Sequence, residues 1–185
     1  MKLDLITRLK AVREAGYVER FHVHGRTSGY TLAQHQWGVA VICLLLWPRE
    51  LAVLVTALCH DVPERFVGDI PSPILAGNPE LRKAIQRDEE TIAEVLDLPS
   101  EHDLPPDLFR MLKAADRLDL YLWVLEEDRR HGSREFWEVR DLLKDWFMTG
   151  EDCPPEVKAL VLQIEDKGWT RLPGTLENVI KESAR

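Results

Sequence analysis

Cysteine is scarce in this 185-residue chain, which holds only Cys43, Cys59 and Cys153. An odd number with no Cys-x-x-Cys pair does not make a disulfide framework. Cys43 and Cys59 lie inside apolar runs and read as buried thiols in a reducing compartment, so a cytoplasmic protein is expected. Basic charge is also short: 24 Lys and Arg face 32 Asp and Glu, for a net charge of −8. Such a chain has no global attraction for a nucleic-acid polymer or an anionic membrane. Long apolar runs are missing. The longest, Trp37 to Trp47, is too short to span a bilayer and is followed by Pro48. The N-terminal MKLDLITRLKAVREAG alternates charged with apolar residues and lacks the unbroken apolar core of a signal peptide. Alternating β-branched residues are absent too, which argues against strands.

What remains is helical punctuation. Leu3, Ile6, Leu9 and Arg13 give residues 3–15 a helical period. Residues 16–30 read as a loop. Thr31-Leu-Ala-Gln34 has capping-box spacing and predicts a helix to about Leu46, stopped by Pro48. A second apolar helix is expected from Arg49 to about Asp61. Pro63, Gly68, Pro71 and Pro73 then mark a loop. Asn78-Pro79 reads as an N-cap with proline at the first helical position, opening a helix to about Leu96. Further helices are predicted over about 106–130, from Ser133 to about Met148 and from Pro154-Pro155 to about Lys167, with a short one after Pro173. The expected fold class is all-α: a single domain over residues 1–185, formed as one compact helical bundle.

Chemistry gathers on a few of these elements. His60-Asp61 ends the apolar run LAVLVTALC, and Glu64 follows at a spacing that brings all three side chains to one side of a helical turn. Pro63 distorts that turn. A distorted helix end carrying His, Asp and Glu suits a metal and acid–base site. The same residues equally fit a capping aspartate beside a surface histidine. His35 lies on the inward face of its helix with Val39 and Ile42, where a lone histidine is more often a satisfied core residue. Asp116 interrupts the apolar stripe Phe109, Leu112, Leu120, Trp123 of the long helix. An aspartate there must be paired or metal-bound; Lys83, Arg82 and Arg20 are candidate ion-pair partners. Asp119, a turn away, reads as a solvated neighbour. Trp37, Trp123, Trp137 and Trp146 are expected to pack. Taken together, His35, His60, Asp61 and Asp116 supply a mixed nitrogen and oxygen set, which suits Mn, Co, Fe, Zn or Ni better than Mg or Ca.

The pattern H…HD…D resembles the HD-domain metal-dependent phosphohydrolases. HDVPERFVGDIPSP is similar to the HDxxE…GD(I/L)P(T/S)P signature of YfbR-like 5′-deoxynucleotidases. Arg20-Phe21, before His35, matches the Arg-Trp pair of that branch, and AADRLDLYLWVLEE matches its fourth-ligand segment. The resemblance covers about residues 17–140 and extends to small viral HD enzymes that remove triphosphate from dATP.

It implies an HD helical bundle holding a divalent transition metal on His35, His60, Asp61 and Asp116, with Mg on the phosphates as a possible addition. Glu64 would activate water, and Asp69 would lie near the leaving oxygen or the sugar. Arg20 would hold a phosphate and Phe21 would pack on the deoxyribose. Val23 would touch the base, with His22 and His24 along the phosphate path. A triphosphate would call on further cations from Arg26, Arg82, Lys83, Lys113 and Arg117. The implied partner is a small deoxynucleotide, with no nucleic-acid polymer and no membrane, and the chain is expected to form a homo-oligomer, for which residues 134–185 could supply a face. Three departures bear on the substrate. Gln34 and Gln36 flank His35 where the family has Glu and Ser, Phe21 replaces Trp, and Ile74-Leu75 stands where a lysine is common. Two other readings use the same residues. One is an HD phosphodiesterase or alarmone hydrolase, which a second metal cluster would favour. The other is a helical module with a structural metal, for which Glu64 would have no use.

Overall fold

The computed structural model describes residues 3–21, 29–70, 72–131 and 136–169. Among the described residues there is no strand, only an isolated antiparallel bridge between Glu19 and Thr31. The all-α expectation holds.

Each helix begins where its local chemistry allows. Helix α1 (Leu5–Ala15) is capped by Asp4, whose carboxylate accepts from the Thr7 backbone N–H at 3.0 Å. Helix α2 (Leu32–Leu46) opens with the complete capping box of Thr31 and Gln34. Helix α6 (Pro79–Leu96) has Asn78 as its cap and Pro79 at its first position, where the missing N–H costs nothing. Helix α7 (Pro106–His131) is the longest, and α8 (Trp137–Thr149) and α9 (Pro155–Lys167) pack behind it. The predicted start of a helix at Ser133 and the short helix after Pro173 fall outside the described residues.

The second apolar helix departs from expectation. Helix α3 (Leu51–Ala57) stops a turn before His60. Proline at 63 has no N–H and its ring collides with the carbonyl four residues back, so α-helical pairing cannot pass through 59–63. The chain tightens instead into turns in which Cys59, Val62 and Glu64 each bond the carbonyl three residues earlier. The breaker-rich loop also holds more helix than its composition suggests: α4 (Glu64–Val67) and α5 (Ser72–Gly77). Gly68 separates them at φ 91°, ψ 150°, a conformation that only glycine adopts without strain.

The main core lies where α2 and α3 meet α7, with α8 and α9 closing it. Val39, Cys43, Val53, Leu112, Leu118, Tyr121, Phe147 and Val161 are all buried there. Cys43 and Cys59 are buried as expected, and their thiols are pushed up by burial to about 12 and about 11. Of the tryptophans expected to pack, Trp123 and Trp146 do so, whereas Trp37 is 67% and Trp137 42% exposed. Among the described residues no helix is long and apolar enough to cross a membrane.

Candidate active site

Three pieces of chain converge on one point. The first is the buried face of α2. The capping box fixes its first turn, and His35 follows on the stripe that continues to Val39 and Cys43, fully buried. The preceding segment is tied alongside, because Arg20 N–H donates to the Tyr30 carbonyl at 2.8 Å and Leu32 N–H to that of Val18 at 2.9 Å. That pairing delivers the Arg20 guanidinium to the neighbourhood of His35. The second piece is the tight turn run after α3, which carries His60 and Asp61 and leads into Glu64 at the start of α4. The third is the centre of α7, which carries Asp116.

The imidazoles are oriented with their Nε2 atoms free. His60 Nδ1 lies 3.0 Å from the Ala57 carbonyl, which can only accept, so Nδ1 carries the proton and Nε2 the lone pair. The 3₁₀-like turn makes this bond possible: in a continued α-helix the Ala57 carbonyl would be taken by the Asp61 N–H. His35 Nδ1 lies 2.8 Å from Asp119 Oδ2, so its Nε2 also faces inward. Neither Nε2 has a hydrogen-bond partner, although both are buried. His35 Nε2 is 3.1 Å from Asp116 Oδ1 and 3.4 Å from Asp61 Oδ2, and His60 Nε2 is 3.4 Å from Asp61 Oδ1. Ligand atoms at right angles on one ion, each about 2.1 Å from it, would lie about 3 Å apart. His35, His60 and Asp116 form the compact set that could hold a metal ion. Asp61 presents one oxygen to each imidazole, with Oδ2 shared by Arg20 at 2.5 Å. Orphaned nitrogens and clustered carboxylates therefore fit a divalent cation.

Charge without a cation is held by compensation. Burial would strip the Arg20 proton, but Asp61, Glu64 and Asp116 outweigh it and keep the guanidinium charged. Burial and Arg20 disfavour a charged His35, yet Asp116, Asp119 and Asp61 outweigh them and raise its pKa well above the ordinary value. Asp116 is held well below the usual carboxylate range, since His35 and Lys113 overcome its burial. Glu64 moves the other way: burial first, then the Asp61 charge, raise its carboxyl well above the ordinary value.

A cleft of about 270 Å³ opens from this point. Arg20, His60, Asp61, Glu64, Asp69 and Asp116 line its floor, and Glu89, Glu101 and Lys113 form the wall from α6 to α7. Lys113 pairs with Glu101 at 2.6 Å. Lys83 is not brought in; it is 73% exposed and pairs with Glu80 on the outer face of α6. Phe21 stacks on Trp123 with centroids 4.9 Å apart, next to Tyr30 and Phe136 rather than on the cleft wall. His22, Val23, His24 and Arg26 fall outside the described residues. Asp119 corrects the sequence reading: its side chain is only 14% exposed and is bonded to His35 and Tyr30. Its spacing of one turn from Asp116 is the signal that could have found it.

An all-helical fold thus brings His35, His60 and Asp116 from separate segments into a group that could hold a metal ion, with Asp61, Arg20 and Glu64 beside it. Comparison with known proteins agrees. The YfbR-like 5′-deoxynucleotidase family model matches residues 7–161, and the chain belongs to that family. It is 32% identical over 135 residues to a dATP triphosphohydrolase of Salmonella phage PMBT28, covering 63% of this chain and 66% of that one. It is 32% identical over 109 residues to a 5′-deoxynucleotidase of Vibrio cholerae serotype O1, covering 52% and 55% respectively. The matches thus span about half to two thirds of those relatives' lengths. In fold the chain is similar to the cyanophage S-2L HD phosphohydrolase DatZ, solved with dA and one catalytic Zn2+ ion. That match has a TM-score of 0.64 at 22% identity, over 90% of this chain and 98% of the other.

Proposed function

We propose that this chain is a divalent-metal-dependent phosphohydrolase that cleaves the 5′ phosphoester of 2′-deoxynucleotides. The observation that carries this reading is a set of buried polar atoms without a hydrogen-bond partner, His60 Nε2, Glu64 Oε2 and Arg20 Nε on residues that line the cleft, with His35 Nε2 beside them. Two lone-pair nitrogens call for a cation. A carboxyl oxygen calls for a water. A guanidinium N–H calls for an anionic oxygen. A phosphate ester and water meeting at a metal satisfy all four.

His35, His60, Asp61 and Asp116 would hold the ion, and their mixed donors suit Mn, Co, Fe, Zn or Ni. When bound, such an ion polarises a phosphoryl oxygen and lowers the pKa of its water. The chain's own groups do the rest. Arg20 binds and orients the α-phosphate. Glu64, whose carboxyl is held above its ordinary value by burial and the Asp61 charge, would take a proton from the attacking water. The water oxygen bonds to the α-phosphorus, the bond to the sugar 5′ oxygen breaks, and a proton passes to that oxygen. Asp69 lines the cleft after Gly68 and would sit beside the leaving oxygen or the sugar. His22 and Val23 would lie near the phosphate path and base, and Lys113 would extend the positive charge. The products are a deoxynucleoside with phosphate from a monophosphate, or with triphosphate from a dNTP, where Mg would accompany the phosphates. The reading includes a homo-oligomer.

The test incubates protein loaded with Mn2+, Co2+ or Zn2+ with dNMPs, dNTPs and ribonucleotides, and resolves phosphate from triphosphate. Release from deoxynucleotides is expected. No release with any of them would overturn the reading, and activity surviving His60→Ala with Asp61→Ala would overturn the site.

A further inference from the structure

His35 is the most deeply buried of the metal-site residues, and its orientation depends on residues outside the ligand set. Asp119 Oδ2 lies 2.8 Å from His35 Nδ1 and also accepts from the Tyr30 hydroxyl, which itself lies 2.9 Å from Nδ1. Tyr30 has one proton to give, and it goes to the carboxylate. A carboxylate only accepts, so the remaining bond requires the proton on His35 Nδ1. That choice leaves Nε2 without a proton, beside Asp116 Oδ1 at 3.1 Å and Asp61 Oδ2 at 3.4 Å. A metal-bound histidine with its other nitrogen anchored on a carboxylate is held in both tautomer and ring angle.

The helix opposite is shaped around this carboxylate. A Cβ at Gly38 would lie 1.9 Å from Asp119 Oδ1 and 2.7 Å from its Cγ. Gly38 is three residues after His35 on α2, as Asp119 is three after Asp116 on α7. The α2–α7 contact therefore carries two layers. Its outer layer is the pair His35 and Asp116, and its inner layer is the pair Gly38 and Asp119. The backbone of Gly38 is ordinary α-helix, so its lack of a side chain serves space and not conformation.

We infer that Asp119 is the positioning residue of His35, with Tyr30 holding its carboxylate and Gly38 giving it room. The inference rests on the metal-site reading above. It assigns to Asp119 an effect on metal affinity exerted through His35, without contact with metal or substrate.

The test is a double-mutant cycle read by Co2+ titration, through the visible absorption of the bound ion and the dissociation constant. Asp119→Ala should weaken Co2+ binding by about 10–100-fold, the scale seen when a ligand's supporting partner is removed, and should alter the Co2+ spectrum. Gly38→Ala should do much the same by pushing the carboxylate off Nδ1. In the Asp119→Ala background, Gly38→Ala should add nothing, because the group it displaces is gone. Asp119→Asn, whose amide oxygen can still accept from Nδ1–H, should recover part of the affinity. Thermal unfolding of each metal-free variant checks that it is folded, and Asp119→Asn and Gly38→Ala carry the test if Asp119→Ala is not. Wild-type affinity in Asp119→Ala, or equal losses from Gly38→Ala in both backgrounds, would overturn the assignment. Failure of the wild type to bind Co2+ would instead overturn the metal site itself, and the assignment with it.

Discussion

Arg20 stands among carboxylates that no other described cation neutralises as closely. Its Nη1 is 2.5 Å from Asp61 and 3.7 Å from Glu64, and its side chain is 14% exposed. A pair this enclosed differs from a surface ion pair, whose loss is scarcely felt. Removing one partner leaves the other charge buried and uncompensated, at a cost of about 3–5 kcal/mol. Arg20→Ala should therefore destabilise the metal-free protein by roughly 3 kcal/mol, measured by urea unfolding in EDTA. Added metal should restore part of the loss, because the cation takes over the compensation. Arg20→Lys keeps the charge but not the planar fork, and should keep most of the stability while losing phosphate orientation. An alanine variant as stable as the wild type without metal would show that Asp61 and Glu64 find another counter-charge. The role of Arg20 was legible in the sequence only through its motif. The physical reason it is buried, the bridge that ties Glu19 and Arg20 to Tyr30 and Thr31, joins positions with no local signal of pairing.

At the scale of elements, the sequence was most legible where the cause is local. The Thr31 capping box, the Asn78-Pro79 start and the proline starts of α7 and α9 all lie where the residues demand. Less legible was whatever depends on two elements meeting. Asp119 read as solvated because nothing in α7 alone says that α2 will place a glycine against it. Lys83 was offered as a cation for a triphosphate on charge alone, and nothing in α6 by itself says that it would pair with Glu80 away from the cleft. Glu89 was not singled out at all, and it belongs to the wall that α6 contributes to the cleft. Burial, then the charges of Asp61 and Glu101, raise its carboxyl from 4.5 to about 7. A carboxyl raised on folding holds its proton longer in the native than in the unfolded chain, so stability falls as pH rises between those two values. Below 4.5 both states are protonated and the group contributes nothing; above about 7 the full penalty applies. Glu89→Gln removes the titration. In EDTA its melting temperature should match the wild type near pH 4.5 and exceed it at pH 8. A constant difference at both pH values would show that Glu89 is not raised.

For the whole molecule, the unresolved imbalance is apolar and not electrostatic. Helix α2 (Leu32–Leu46) and helix α3 (Leu51–Ala57) contain no Asp, Glu, Lys or Arg. Their buried faces build the core, yet their other faces are open: Trp37 is 67%, Leu45 75%, Leu51 67% and Val55 43% exposed. The spacings 37, 41, 45 and 51, 55, 58 put each set on one helical face, and the two helices pack on each other. A helix apolar all round is normally a buried helix, and monomers rarely leave such patches uncovered. A strongly charged partner would gain nothing from this face, whereas a second copy of the chain offers the same apolar stripes, and an isologous pairing needs only self-complementarity. A stable interface of ordinary size takes about 800 Å² from each partner, which two such stripes with their flanks can approach. The net charge of −8 argues against indiscriminate association, so self-pairing should be confined to this neutral face. Light scattering coupled to size exclusion should give at least twice the mass of the 185-residue chain. Leu45→Glu with Leu51→Glu should halve the mass of a dimer, while metal affinity stays near wild type, because His35 lies on the opposite face of α2. A single-chain mass for the wild type would overturn self-association; a charged double variant that stays assembled would place the interface elsewhere.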